Sequence, residues 1–401
     1  MKIIIFAGGI GTRLWPLSRK NSPKQFDKIF NGKSTLELAI ERVSPVVGIE
    51  NIFIQTTSEF AEAVKVQLPS LPDSNIFIEP MRRNVGPAVC YGMIKLGNTN
   101  ERIPTPNRRA GLTPFNKGGT KEISSVSAPL CACPPNWREG GQGDVENDEP
   151  VALLWADHLM DNVDEFQQAL LSAEKLIKSK PDRFVFLGEK SRFANNNLGW
   201  IKVGDEIGKI NGKNYFKFLG WKYKPEQSEC ARMFKQGNYF WNPGYFISSI
   251  SFILEQYKKL SPKIYENVKM AIDYPENAEE HYGRAEKISF DKAIIEKTDL
   301  SNAVVLKTDM KWSDPGTLYA LKEALQKSKE ANVIKGNVIE LNTRDSLIYN
   351  FENKKLITTV GLDGFVIINT KDALIVVPKE EVVNVTNLVE KIEAQGLDEY
   401  L

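Results

Sequence analysis

Only two histidines, His158 and His281, and four cysteines, Cys90, Cys131, Cys133 and Cys230, occur among 401 residues. The first scarcity excludes most mechanisms built on an imidazole base or a histidine-rich metal centre. The second provides no disulfide framework for a chain of this length. Net charge is scarce too: 52 basic against 51 acidic side chains leave +1. That balance argues against a dedicated nucleic-acid surface or a polybasic membrane patch. No run approaches the roughly 20 apolar residues of a membrane span. The apolar start breaks at Gly8, too early for a secretory signal, so the expected compartment is the cytoplasm. A G-x-S-x-G nucleophile elbow is also missing.

What is present is an ordinary globular composition, 42% hydrophobic and 26% charged. Strand and helix patterns alternate from the start. Strands are predicted at Ile3–Ala7, Asn51–Thr56, Asn75–Ile78, Val151–Trp155 and Arg183–Leu187. Helices are predicted at Thr35–Val43, Glu59–Leu68, Gly86–Leu96 and Val163–Ser179. Such alternation implies an α/β fold, a mostly parallel sheet with helices on both faces. One interruption breaks it. From Gly97 to Glu149, 26 of 53 residues are Gly, Pro, Ser, Thr or Asn, so the segment reads as a disordered insertion into the first domain, residues 1–330. Cys131-Ala132-Cys133 lies within it, and without further ligands reads as loop rather than metal site. Beyond residue 330 come short β-rich runs and a closing helix, Val382–Glu393, which predict a small second domain, 331–401, a β-helix stub.

The stretch FAGGIGTRLWPLSRKNSPKQF packs three glycines, two prolines and four basic residues into 21 positions directly after the first strand. It matches neither the P-loop, which needs Gly-Lys-Ser/Thr, nor the three-glycine dinucleotide fingerprint. Gly8, Gly9 and Gly11 can still bring backbone N–H groups close to an anion. Arg13 adds a bidentate cation and Lys24 a compact one. A tight turn with solvated charges would account for the glycines, but less well for the basic cluster at a strand's C-terminal end, where open α/β sheets bind ligands.

A second candidate is Asp157, in Trp155-Ala156-Asp157-His158 just past a predicted strand. A carboxylate there is placed to hold Mg²⁺ on a phosphate, or simply to cap a turn. Asp314, in Lys311-Trp312-Ser313-Asp314-Pro315-Gly316, is the best second carboxylate. His158 reads as an orienting or core residue rather than a base. This inventory suits phosphoryl-type transfer, which needs positioning, cations and metal but no protein nucleophile.

The opening stretch resembles the signature of sugar-phosphate nucleotidylyltransferases, G-G-x-G-T-R-L followed by Pro-Lys, and its LWPLSR and PKQF forms resemble bacterial-type mannose-1-phosphate guanylyltransferases. Further matches are Glu79–Ala88, Ala156-Asp157-His158, Gly199-Trp200-Ile201, Lys224-Pro225, Trp241–Phe246, Ser289-Phe290-Asp291 with Glu296-Lys297, and Trp312-Ser313-Asp314. The resemblance implies a doubly wound, Rossmann-like nucleotidyltransferase domain followed by a small left-handed β-helix-like domain. It implies that GTP and mannose 1-phosphate are the substrates, with GDP-mannose and pyrophosphate the products. Gly8, Gly9, Gly11, Thr12, Arg13, Arg83, Asn84 and Gly86 would bind nucleotide. Arg13, Lys24 and Asp157 would be catalytic, Asp157 and Asp314 would hold Mg²⁺, and Gly199, Lys224, Asn242 and Glu296 would take the sugar phosphate. No nucleic-acid or membrane partner is implied, and a homo-oligomer is compatible with it.

Four departures bear on the sugar and base. The family's Arg-Asn-Thr-Ala reads Arg83-Asn84-Val85-Gly86, and its Glu-Lys-Pro reads Tyr223-Lys224-Pro225. Trp-Asn-Ser-Gly has become Trp241-Asn242-Pro243-Gly244, and the segment after Asp314 runs Pro315-Gly316-Thr317-Leu318. The alternatives are therefore another sugar 1-phosphate or nucleotide, or a regulatory homologue that binds a nucleotide sugar with little turnover. Longer relatives carry a cupin-type isomerase domain that needs histidines. None follows His281 here, so transferase activity alone is expected.

Overall fold

A computed structural model of the chain describes residues 1–9, 11–19, 25–26, 32–100 and 148–401. The first part alternates as β1 (Lys2–Phe6), α1 (Thr35–Val47), β2 (Ile52–Thr57), α2 (Ser58–Gln67), β3 (Ile76–Glu79), α3 (Val85–Asn100) and β4 (Pro150–Trp155). Next come β5 (Leu159–Met160), α4 (Val163–Ser179), β6 (Val185–Glu189) and a long hairpin, β7 (Gly199–Ile210) with β8 (Lys213–Lys222). After it follow α5 (Gln227–Gln236), β9 (Tyr239–Asn242), β10 (Phe246–Ser249), α6 (Ile250–Leu260), α7 (Pro262–Asp273) and α8 (Ala278–Gly283). The part closes with β11 (Val304–Thr308), β12 (Trp312–Ser313) and α9 (Leu318–Leu325).

Among the described residues the main sheet has ten strands in the order β11-β8-β7-β9-β6-β10-β4-β1-β2-β3. Strands β4, β1, β2 and β3 are parallel neighbours. Strand β10 runs against both β4 and β6, so the sheet is mixed beyond its parallel edge. Both faces are covered because the central strands are apolar on both. Ile3 and Ile5 pack with α1, α2 and α4 in one core, while Ile4 packs with α3, α6 and α7 in another. Helix α1 starts where it does because Ser34 and Glu37 form a reciprocal capping box, and it stops at Gly48, whose φ is +77°. Helix α3 continues to Asn100, and the Glu149 carbonyl accepts from Ile250 N–H at 3.2 Å. Residues 97–100 and 149 therefore belong to the ordered fold rather than to an insertion. Residues 101–147, Cys131 and Cys133 among them, lie outside the described residues.

The C-terminal part stacks short strands into coils. Strands β13 (Val333–Lys335), β15 (Leu347–Asn350) and β17 (Phe365–Asn369) pair in parallel, with β18 (Leu374–Pro378) antiparallel at the edge. Strands β14 (Val338–Leu341) and β16 (Ile357–Val360) form a second parallel pair. Rungs are tied by an asparagine step, Asn369 Nδ2 donating to Asn350 Oδ1 at 2.9 Å. Helix α10 (Val385–Ala394) closes the end. A third core joins this part to the first, in which Leu14, Trp15 and Leu17 pack with Leu318, Leu321, Leu347, Val366 and Val389. Polar groups reinforce the joint: Asp345 accepts from buried Lys322, from Lys379 at 2.7 Å and from the Tyr319 hydroxyl at 2.9 Å. Burial pushes the Asp345 carboxyl up, but its bonds to Lys322 and Lys379 hold it below the usual carboxylate range.

Candidate active site

Strands β1 and β4 end level, Phe6 opposite Trp155, and Ala156 N–H donates to the Phe6 carbonyl at 3.1 Å. The glycine loop and Asp157 therefore leave the sheet side by side at its carboxyl edge. Between them opens a cavity of about 440 Å³ lined by Gly8, Gly9, Gly11, Arg13, Arg83, Asn84, Asp157 and Gly316. A larger cavity, about 600 Å³, lies between α1, the β5–β12 ribbon and α9, and none of the glycine loop lines it.

A Cβ built on Gly8 or Gly9 would meet no atom within 4 Å, so neither glycine is required by packing. Their bare backbone borders open space, as a phosphate cradle requires. Gly11, at φ +69°, bends the chain into the single 3₁₀ turn Thr12–Leu14, and Arg13 leaves that turn exposed beside the cavity. The underside of the loop is held by Gln25, whose Nε2 donates to the carbonyls of Ala7 (3.1 Å) and Gly9 (2.9 Å). The Thr56 hydroxyl donates to the same Ala7 carbonyl at 3.0 Å. The sequence reading assigned Gln25 no role, although it stands inside the PKQF signature. Lys24, beside it, lies outside the described residues.

The opposite rim is the start of α3. Asn84 takes the left-handed conformation at φ +68° and accepts from Val85 N–H at 2.7 Å through Oδ1. Arg83 also lines the cavity and donates to the Gly283 carbonyl. Gly86 does not face the cavity. Its N–H donates to the Ile288 carbonyl at 2.8 Å, and an added Cβ would sit 2.6 Å from that oxygen. It is a close-packing glycine rather than a ligand contact. Glu79, which opens the Glu79–Ala88 match but was assigned no role, and Lys287, which was not singled out, line the cavity. Burial raises the Glu79 carboxyl to about 7 despite bonds from the Tyr282 hydroxyl (2.7 Å) and Gln55 Nε2 (3.0 Å).

The ribbon, in which β12 pairs antiparallel with β5 and Ser313 stands opposite Leu159, carries both Asp157 and Asp314, although Asp157 lines the glycine-loop cavity and Asp314 a separate one of about 260 Å³ beside Arg192 and Trp312. Asp314 follows Ser313 and Asp157 precedes Leu159 by two residues, so both carboxylates fall at one end of the ribbon. Both also act on the Tyr245 phenol, which burial, the larger cause, already pushes far up. The ribbon is anchored from behind. Glu189, fully buried, accepts from the N–H groups of Met310 (2.9 Å) and Trp312 (3.1 Å). Arg42 donates to the His158 carbonyl at 3.0 Å, and His158 Nδ1 lies 3.1 Å from the Tyr245 hydroxyl. His158 is thus a core residue holding the ribbon. Two hard carboxylates can hold a divalent cation if phosphate oxygens complete its shell. Among the described residues no group of three His, Cys, Asp or Glu could hold a metal ion.

The residues predicted for the sugar side do not line this cavity. Gly199 pairs with Asn242 across β7 and β9, and a Cβ there would touch Asn242 at 3.4 Å. Lys224, at φ +44°, sits just past β8 with its ammonium 5.3 Å from the Tyr223 ring centre. This cluster meets the cavity wall through Trp155, whose indole donates to the Gly244 carbonyl at 3.1 Å. Glu296 is exposed past the π-type turn Asp291–Ile295. Burial chiefly, and then the Glu296 charge, raise the Asp291 carboxyl to about 6.

A glycine cradle and an arginine facing Asp157 across a cavity at the carboxyl edge of an α/β sheet define a phosphate-handling site of nucleotide-binding type. The nucleotidyl transferase family model matches residues 2–103 and 142–331, and the chain belongs to that family. The mannose-phosphate isomerase/GMP-like β-helix domain model matches residues 336–392. The chain is 28% identical over 405 residues to the mannose-1-phosphate guanylyltransferase of Salmonella muenchen, covering 99% of this chain and 74% of that protein. It is 27% identical to the alginate biosynthesis protein AlgA of Pseudomonas putida, covering 99% and 72% respectively. A crystal structure described as mannose-1-phosphate geranyltransferase from Thermus thermophilus shares the fold, with a TM-score of 0.76 at 23% identity over 98% of this chain and 99% of that one. Among the described residues no helix is long and apolar enough to cross a membrane.

Proposed function

We propose that the chain is a mannose-1-phosphate guanylyltransferase, converting GTP and mannose 1-phosphate to GDP-mannose and pyrophosphate for polysaccharide biosynthesis. The observation that carries this reading is the shared cavity: Gly8, Gly9, Gly11 and Arg13 face Asp157 across it, within a chain similar over its whole length to proteins of that name. A cytoplasmic setting goes with this reading.

The sugar-phosphate oxygen forms a bond to the α-phosphorus of GTP, the α–β bridging bond breaks, and the electron pair leaves with pyrophosphate. Negative charge on the phosphate oxygens would be met by the loop N–H groups and the Arg13 guanidinium, both of which border the cavity. Lys24 would add a second cation. Asp157 and Asp314 would hold Mg²⁺, whose contribution when bound is to neutralise phosphate charge. Arg83 and Asn84 would border the base and ribose, and Gly199, Lys224, Asn242 and Glu296 the sugar phosphate.

One observation favours a different sugar. Tyr223, 66% exposed, stands where the family carries a carboxylate, so no acidic group from that position can bind sugar hydroxyls. Pyrophosphate release across a panel of nucleoside triphosphates and sugar 1-phosphates tests both readings. The fastest release with GTP and mannose 1-phosphate supports the first, and another preferred sugar supports the second. No release with any pair, in the presence of Mg²⁺, overturns both and favours a binding homologue.

A further inference from the structure

Arg19 lies outside the cavity wall yet is bonded on every side. Its guanidinium lies 5.5 Å from the Trp15 ring centre, and Nε donates to the Pro16 carbonyl at 3.0 Å. One Nη donates to the Tyr400 carbonyl, and the other to Asp372 (2.7 Å) and Thr370 Oγ1 (3.3 Å). Trp15 Nε1 donates to the same Tyr400 carbonyl at 2.7 Å. Asp372 and Thr370 form the turn between β17 and β18, so this arginine reaches from the signature loop onto the C-terminal domain. The segment between is short. Arg13, six residues earlier, faces the cavity, while Leu14, Trp15 and Leu17 are buried in the joint between the two parts.

We infer that Arg19 is a positioning residue, latching the loop 11–19 to the β17–β18 turn so that Gly11 and Arg13 are held in register with the phosphate. The inference rests on the nucleotidyl-transfer reading above. The pair contributes little to global stability, since the Arg19 and Asp372 side chains are 17% and 42% exposed. Partly exposed ion pairs of that kind are screened by water and add little to stability. Aim is another matter, because a misplacement of about 1 Å at a reacting centre costs on the order of 10²-fold in rate. The C-terminal domain thus acts on catalysis without touching substrate, Arg19 adding a polar latch to the apolar joint made by Leu14, Trp15 and Leu17.

The test compares the full-length wild type with Arg19→Gln, Asp372→Asn and the double variant, and with Arg19→Lys. Pyrophosphate release, thermal melting and hydrogen exchange of amides 8–19 are measured on each. Expected are losses in kcat/KM on the order of tenfold for both single variants and none further in the double. Arg19→Lys, which keeps the Asp372 pair, should recover part of the rate. Exchange of amides 8–19 should rise while Tm moves by no more than a few degrees. Unchanged kcat/KM in folded Arg19→Gln, or a loss that tracks Tm across the series, overturns the proposal. If the wild type itself releases no pyrophosphate, the transferase reading fails instead. Amide exchange then decides the latch alone, and unchanged protection in Arg19→Gln refutes it.

Discussion

Gln25 Nε2 donates to the Gly9 carbonyl at 2.9 Å, and the same amide reaches the Ala7 carbonyl at 3.1 Å. One side chain therefore ties two carbonyls of the glycine loop, that of Ala7 shared with the Thr56 hydroxyl, and fixes the backbone that borders the cavity. Gln25→Glu keeps the shape but removes the donor and places a negative charge beneath the cradle. The expected result is a fall in kcat/KM on the order of 10–10²-fold, greater than in Gln25→Ala, with the larger part in KM for the nucleotide. Equal kinetics for the Glu and Ala variants would show that the charge does not matter, and wild-type kinetics in Gln25→Ala that the donor does not.

Asp157 and Asp314 reach one end of the β5–β12 ribbon from opposite strands. Replacing either by Asn keeps size and one acceptor while halving the charge available to a cation. Each single variant should lose on the order of 10²–10³ in kcat and require more Mg²⁺ for half-maximal rate. On the proposed reading, in which both carboxylates would serve one ion, the double variant should lose little more than the worse single. A Mg²⁺ titration of pyrophosphate release measures this. An unchanged half-maximal concentration in both singles would remove these residues from the metal site.

How much of this was legible before any coordinates depended on the range of each interaction. Helix α4 was read at its observed bounds, Val163–Ser179, because apolar residues recur at helical spacing, and the structure adds the Asn162 cap at its start. The parallel strands were read to within a residue or two, since Ile3-Ile4-Ile5 is apolar on both faces. Gln25 was missed because a side chain bonding a carbonyl sixteen residues away leaves no periodic trace. Gly86 was read as a ligand glycine, although it is there to let the Ile288 backbone approach. Leu14, Trp15 and Leu17 read as parts of a phosphate signature, while half of their purpose is to bury the joint with a domain more than three hundred residues later.

The family match stops at residue 103 and resumes at 142, between a helix ending at Asn100 and a strand beginning at Pro150. Replacing residues 104–141 by a short Gly/Ser linker keeps both flanking elements and the Glu149–Ile250 bond. Stability should change little, since lengthening or shortening a connection between two fixed elements alters closure entropy only slowly, by about 0.6 kcal/mol per doubling. The shortened chain should melt within a few degrees of the parent and retain its pyrophosphate release. Insoluble protein, or an active-site defect with an intact melting transition, would assign the segment a structural or catalytic part.

Two carboxyls held above their ordinary range make stability depend on pH. Burial raises Glu79 to about 7 and Asp291 to about 6, so in the folded state each binds its proton more tightly than in the unfolded chain. Their contribution is complete below the ordinary carboxylate values and is lost as pH rises through the raised ones. Tm should therefore fall between about pH 5 and pH 7.5, over a window in which the depressed carboxyls such as Asp345 are already ionised. Glu79→Gln mimics the protonated form and keeps an acceptor for Tyr282. It should flatten that slope and recover on the order of 2–3 kcal/mol at pH 8 relative to the parent, with no gain at pH 4.5. Melts of both proteins across about pH 4.5–8 decide it, and parallel curves would mean that folding leaves the Glu79 carboxyl at its ordinary value.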